Sequence, residues 1–182
     1  MKFAIVVLSL VQFLFVDIHG DYAFRGETYT MNSLEGWEPA TSERIAGRPS
    51  SRKLYGFEAT ISSRISNDRD GSSLQIIELI GCKDYKQIQH TDSVNHSKSD
   101  LVESVVWNYS DNEPWQSVVE IVHKPIKHPE TGQESVLMRK EWYIAGVNNV
   151  YVVSYANDNK ITWYKWLPKI EKLLYTLNEA NR

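Results

Sequence analysis

The sequence predicts an α+β fold, an antiparallel sheet of about five to six strands with a C-terminal amphipathic helix packed on one face. Three observations predict it. Lys140 to Ala156 reads as two strands joined at Gly146–Asn149. Residues from Leu54 to Ile65 alternate apolar and polar, as a half-buried strand does. Beyond Asn157-Asp-Asn-Lys160, apolar residues recur at Trp163, Trp166, Leu167, Ile170, Leu173, Leu174 and Leu177. Those spacings of three, four and seven form one helical stripe.

The chain has 182 residues. Phe3 to Val16 is an apolar run behind a single basic residue, Lys2, and it is interrupted only by Ser9 and Gln12. It is shorter than the roughly 20 residues a bilayer span needs. Small Gly20 stands before Asp21, so the segment 1–20 reads as a signal peptide and 21–182 as one domain. Removing 20 residues leaves 162, enough for one substantial core. The predicted location is periplasmic or secreted. No cysteine ends the apolar run, so a bacterial lipid anchor there is not expected.

Lys2 and Asp17 cancel, so the mature chain keeps the formal net charge of −3. That balance gives no electrostatic footprint for nucleic acid. Nor is stable membrane insertion expected after signal removal. Cys82 is the only cysteine, so no internal disulfide can form and packing must supply stability. It follows an apolar strand and reads as a small buried hydrophobe. Lys83 and Lys86 nearby keep a reactive thiol or an intermolecular disulfide as the alternatives.

Taken in order, Asp21 to Ala40 is irregular, with a short strand near Glu27–Met31 and a turn at Asn32–Glu35. Thr41 to Ser51, with Gly47 and Pro49, reads as an exposed loop. Leu54–Ile65 and Ser72–Ile80 form a hairpin about the Asn67–Gly71 turn. The second strand carries Leu74, Ile76, Ile77, Leu79 and Ile80, an apolar content suited to burial on both faces. Lys83 to Asp100 has only Tyr85, Ile88 and Val94 for burial and reads as a mobile polar loop, with a helix beginning near Asp100. Ser110–Pro114 is a turn, Trp115–Lys124 a strand, and Pro125–Glu134 a connection. Ser135–Ala145 and Val150–Ala156 complete the meander. The terminal helix is expected over Thr162–Asn178, capped by Thr162. Pro168 lies inside it, so the helix should be kinked there or regular only from about Leu167.

The run W-Y-I-A-G-V-N-N-V-Y-V-V-S-Y-A, followed by W-Y-K-W-L-P-K-I-E-K-L-L-Y-T-L, resembles the C-terminal signature of the PsbP/Mog-like superfamily. The match covers about the last 45 residues; upstream, element order alone agrees. The resemblance implies a sheet with helices on its faces and a binding or assembly role. No catalytic motif is common to that superfamily, and this chain lacks the cysteine of its DcrB-like lipoprotein members.

Motifs for chemistry are sparse. No G-x-S-x-G, H-E-x-x-H, Walker loop or G-x-G-x-x-G occurs. His123 and His128 with Glu130 do not have a recognised ligand spacing, and His90 and His96 sit in a polar stretch. Asn67-Asp-Arg-Asp-Gly71 lacks the later acidic ligands of a calcium loop. Asn95 and Asn108 begin glycosylation sequons, relevant in a eukaryotic host. No catalytic, cofactor-binding or metal-binding residue is therefore assigned, and the chain is not expected to be an enzyme. The aromatic residues remain: six Trp and ten Tyr. Trp163 and Trp166 belong to the helix stripe. Trp107, Tyr109 and Trp115 flank the Ser110–Pro114 turn and are the candidate partner-binding surface, with core packing as the alternative. The expected function is an exported, non-enzymatic binding or assembly protein of the cell envelope with a protein partner. The alternatives are an immunity or inhibitor protein against a secreted toxin enzyme, and a metal-dependent hydrolase.

Cleavage ahead of Asp21 can be measured. Intact-mass analysis of the exported protein should give a chain beginning near Asp21. A full-length mass in the membrane fraction would mean a retained anchor.

Overall fold

The computed structural model describes residues 24–26, 28–39, 52–54, 57–67, 70–127 and 129–179. The signal segment and Asp21 lie outside them. The elements are β1 (Phe24–Arg25), β2 (Tyr29–Met31), β3 (Glu38–Pro39), β4 (Arg52–Leu54), β5 (Phe57–Asn67), β6 (Ser72–Ile80), α1 (Tyr85–Ser97), β7 (Val102–Tyr109), β8 (Ser117–His123), β9 (Ile126–Lys127), β10 (Glu134–Ser135), β11 (Met138–Ala145), β12 (Val150–Asn157), α2 (Lys160–Leu174) and β13 (Asn178–Glu179). One antiparallel sheet runs β3-β5-β6-β12-β11-β8-β7, with β4 also on β5. Five of its six long strands, β5, β6, β8, β11 and β12, lie where the sequence predicts strands. However, β12 pairs with β6, so the sheet is not a simple meander, and β7 is a sixth strand beyond that expectation.

The hairpin turns form where the sequence places them. Gly71 takes φ 69° and its N–H bonds Asn67 O at 3.0 Å, a backbone conformation glycine adopts without a Cβ clash. The second hairpin closes through Gly146 N to Asn149 O at 2.8 Å. Its other turn groups are held by the chain's end. The Glu179 carboxylate accepts from Val147 N, from Asn148 N at 3.2 Å and from Asn149 Nδ2 at 2.6 Å. A Cβ on Gly146 would stand 2.5 Å from Glu179 Oε2, so glycine there leaves room for this clip.

Both sheet faces are covered. On β12, Tyr151, Val153 and Tyr155 point into one core while Val150 and Val152 point into another. The first core contains Trp142, Ile144, Leu74 and Ile76 and receives α2 through Trp163, Trp166, Ile170, Leu173 and Leu174. Tyr155 stacks on Trp163, with centroids 4.8 Å apart and planes 10° apart. Lys140 on β11 completes the docking. Its Nζ lies 2.8 Å from Glu120 on β8 and 3.0 Å from Glu171 on α2. Burial pulls its pKa down, but hydrogen bonds to Glu120 and then Glu171 outweigh that and leave it raised.

Two expectations for α2 change, its cap and its end, and a third, for Pro168, is narrowed. Asn159, not Thr162, is the cap: its Oδ1 accepts from Ile161 N at 3.0 Å and Thr162 N at 3.1 Å. The polar turn thus supplies its own capping residue, and the helix starts earlier. Pro168 neither delays nor breaks the helix. It is exposed, so water can reach the carbonyl its missing N–H leaves unpaired. The helix ends at Leu174, because residues 178–179 form β13 on β2 instead. Leu177 is only partly buried.

The larger correction concerns Lys83–Asp100. It is not a loop: Tyr85–Ser97 is α1, and the run expected to begin a helix near Asp100 forms strand β7. Ile88 is wholly buried against Cys82, Leu79 and Val119. Polar residues supply much of the rest. Buried Asp92 accepts the Tyr143 hydroxyl at 2.7 Å, and buried Gln89 donates to Tyr109 Oη at 2.7 Å. Among its described side chains, Ile88 and Tyr85 supply apolar contact while Gln89 and Asp92 dock through hydrogen bonds, which a search for an apolar stripe does not detect. Cys82 itself is free and buried, with burial the main cause raising its thiol pKa.

The N-terminal strands close the α2-side core. Thr28 donates to Glu78 through its N and Oγ1, each at 3.2 Å. Tyr151 Oη donates to Thr28 O at 3.1 Å. Glu78 is thus a buried side chain whose Oε2 is met by two donors from Thr28, as a buried polar group requires.

Two measurements test this packing. Leu174→Asp should cost about 3 kcal/mol or more, because it puts a charge into an apolar interface. Urea titration would read this, and an unchanged midpoint would overturn the docking of α2. Burial, opposed by the Ser72 hydrogen bond and aided by the Asp70 charge, pushes the Tyr155 pKa from 10.0 up to about 12. The unfolded chain therefore ionises first, and this contribution, intact below about pH 10, is lost as pH rises towards about 12. Tyr155→Phe should flatten the fall in unfolding free energy over that window.

Candidate functional site

The Ser110–Gln116 loop separates the three aromatics singled out in the sequence. Its ends are joined by Ser110 N to Gln116 O at 3.2 Å, and the β7–β8 register sets Tyr109 opposite Ser117. Trp107 and Tyr109 are two residues apart on one strand and so share a face, the face that α1 covers. Trp115 lies before the ladder begins and turns to the opposite side. It is 8% exposed and packs against Trp142 and Tyr175 at centroid distances of 6.5 and 6.1 Å. Glu113, in the same loop, accepts the Tyr175 hydroxyl. Trp115 therefore belongs to the α2-side core and does not share a surface with Trp107 and Tyr109.

Those two residues form one wall of a cleft of about 520 Å³. The facing wall comes from α1: Tyr85, Lys86, Gln89 and His90. Asp111 and Gln116 lie at the loop end. The cleft exists because α1 leaves the sheet's edge only partly covered. Trp107 packs inward on Tyr143, with centroids 5.5 Å apart and planes at 38°. Its Nε1 is buried and has no hydrogen-bond partner among the described residues. Tyr109 is 69% exposed, and its hydroxyl accepts from Gln89. That oxygen keeps its own proton to donate.

The cleft thus offers two kinds of contact. Tyr85, Trp107 and Tyr109 present aromatic surface for an apolar or planar group. Lys86, His90, Gln89 and Gln116 can donate hydrogen bonds, and Asp111 can accept them. Sequence reasoning found Trp107 and Tyr109 because they flank a turn. It missed Tyr85, Lys86, Gln89 and His90, which become neighbours of β7 only through the helix. Tyr85, Ile88 and Gln89 at helical spacing were the available signal.

Among the described residues, no group of three or more His, Cys, Asp or Glu is placed to hold a metal. His128 lies outside them, so its expected proximity to His123 and Glu130 is not described. No helix among them is long and apolar enough to cross a membrane.

No family model matches the chain, and no curated protein does. Among solved structures, it is similar to a crystal structure of a Bacteroides thetaiotaomicron protein, with 14% identity and a TM-score of 0.49 over 85% of this chain and 46% of that one. It is also similar to the solution structure of cyanobacterial PsbP (CyanoP) from Synechocystis sp. PCC 6803, with 8% identity and a TM-score of 0.45 over 84% of this chain and 87% of that one. The chain spans about half the length of the Bacteroides protein.

Proposed function

We propose that this chain is an exported, non-catalytic binding protein, an accessory or assembly component of PsbP/Mog-like type, and that the α1–β7 cleft is its contact surface. The observation that carries the reading is the pairing of exposed Tyr109 with Trp107 across from the polar face of α1. Protein partners commonly anchor on Tyr and Trp set among hydrogen-bonding side chains, with a polar rim around them. Lys86, His90 and Asp111 supply such a rim here. The apolar run at Phe3–Val16 supports export, and the C-terminal strand–strand–helix signature supports the family reading. Trp115 is not part of the proposed surface.

Affinity capture from the protein's own envelope fraction, with partners identified by mass spectrometry, supplies the ligand for a quantitative test. Tyr109→Ala should weaken capture by about thirtyfold or more and cost about 1–3 kcal/mol of stability, because buried Gln89 loses its acceptor. Tyr109→Phe should give the same stability loss while keeping most of the aromatic contact. Trp107→Ala should weaken it as well, with some loss of stability because the ring is half-buried. Trp115→Ala should cost about 3 kcal/mol or more through its core contacts. Undiminished capture by both Trp107→Ala and Tyr109→Ala would remove the cleft as the contact surface.

A further inference from the structure

The two edges of the large sheet are finished differently. On one side, β5 is covered at both ends: β3 pairs at Ser66 and Ile65, and β4 pairs at Ala59, Glu58 and Phe57. Those covering strands carry Pro39, Arg52 and Lys53, residue types that discourage further pairing. On the other side is β7, paired only with β8 among the described residues. It is eight residues long, V-E-S-V-V-W-N-Y, and contains no proline or lysine and one charge, Glu103. A register shift between Val102 and Ser104 interrupts its first residues. Ser104 to Tyr109 then runs regularly, with every second peptide turned away from β8. Val106 on this edge is 52% exposed. A long, weakly charged edge of this kind is a template for strand addition.

The edge is also complementary to itself. Two copies of β7 placed antiparallel about a two-fold axis at Val106 oppose Val106 to its own counterpart. The same register sets Val105 opposite Trp107 and Ser104 opposite Asn108. Apolar residues meet apolar ones and hydrogen-bonding residues meet each other. Opposed residues keep the same face, since the register preserves the alternation of the strand. No like charges are opposed, because Glu103 is the only charge and would lie beside Tyr109 of the second copy. An arrangement in which one patch contacts itself is what a two-fold dimer requires.

We propose that β7 is the dimerisation edge of this protein, pairing antiparallel with β7 of a second copy in a register centred on Val106. The two sheets then continue as one. The α1–β7 clefts of the two copies lie on the same face of that sheet, on either side of the axis. This proposal does not depend on what fills the cleft.

Cysteine placement tests the register. Directly opposed residues in antiparallel strands have Cα atoms about 4.5–5.5 Å apart, within disulfide range. In a Cys82→Ser background, Val106→Cys should give a covalent dimer under mild oxidation. Asn108→Cys should not, because it opposes Ser104. Sedimentation velocity of the wild-type mature chain should show monomer passing to dimer as concentration rises through the micromolar range. Val106→Lys opposes two ammonium groups and should raise the dimer dissociation constant about tenfold or more. Since Val106 is half exposed, this variant should keep the wild-type melting curve, showing that it folds. A chain that stays monomeric, with no covalent Val106→Cys dimer, would overturn the proposal. So would a dimer unaffected by Val106→Lys, which would place the interface elsewhere, or cross-linking at Asn108→Cys in preference to Val106→Cys.

Discussion

Strand β12 is paired on both sides and covered on both faces, and the rest of the molecule is arranged around that constraint. A strand in this position must be nearly continuous in apolar content, yet three of its residues are Tyr or Ser with hydroxyls to satisfy. The two tyrosines meet the requirement by reaching outward to different segments. Tyr151 bonds Thr28, and Tyr155 lies near the Ser72 hydroxyl and the Thr162 carbonyl. Ser154, on the other face, donates to Glu141 at 3.4 Å. Each buried hydroxyl left unpaired would cost about 1–3 kcal/mol. The N-terminal strands, the start of β6 and the start of α2 are thereby tied to one central element.

The helices on the two faces are held by different physics. α2 docks through a wide apolar stripe, supported by Lys140 between Glu120 and Glu171. Removing one carboxylate would leave a buried ammonium with only part of its compensation, so the pair fixes orientation as well as contributing attraction. α1 docks through Ile88 and a polar set in which Tyr143 donates to Asp92 while also lying 3.3 Å from Glu141. Hydrogen bonds require defined geometry where apolar contact tolerates sliding. α1 is therefore held in one place, and its edge over β7 remains open as a cleft.

Strand β7 carries two properties that arise from one fact, its position at the end of the sheet. Its inward residues Val105 and Trp107 pack under α1, and beyond them the helix leaves space. Its outer backbone edge has no partner among the described strands. The cleft recognises side chains and the edge recognises backbone.

What the sequence by itself determined was whatever short-range periodicity encodes. The apolar strands at 72–80 and 150–156 and the stripe from Trp163 to Leu174 each express their structure within a few residues, whereas the strand expected over Leu54–Ile65 is divided: Leu54 ends β4, which folds back to pair with Phe57 of β5. Gly71 marks its turn for an equally local reason, its positive φ, whereas Gly146 also makes room for Glu179 from far along the chain. The tertiary structure decided the rest. The polar contacts of α1 are with Tyr143 and Tyr109, far along the chain, and a polar helix face is indistinguishable from a loop until those partners are in place. The end of α2 is likewise set by β13 meeting β2, a contact between opposite ends of the chain. Trp107 and Trp115 look alike in the sequence, flanking one turn. The pairing of Tyr109 with Ser117 alone sends one ring towards the cleft and leaves the other outside the ladder, free to turn into the core. Strand register is a long-range property with a period of two, so a single-residue difference in pairing decides which face a side chain occupies.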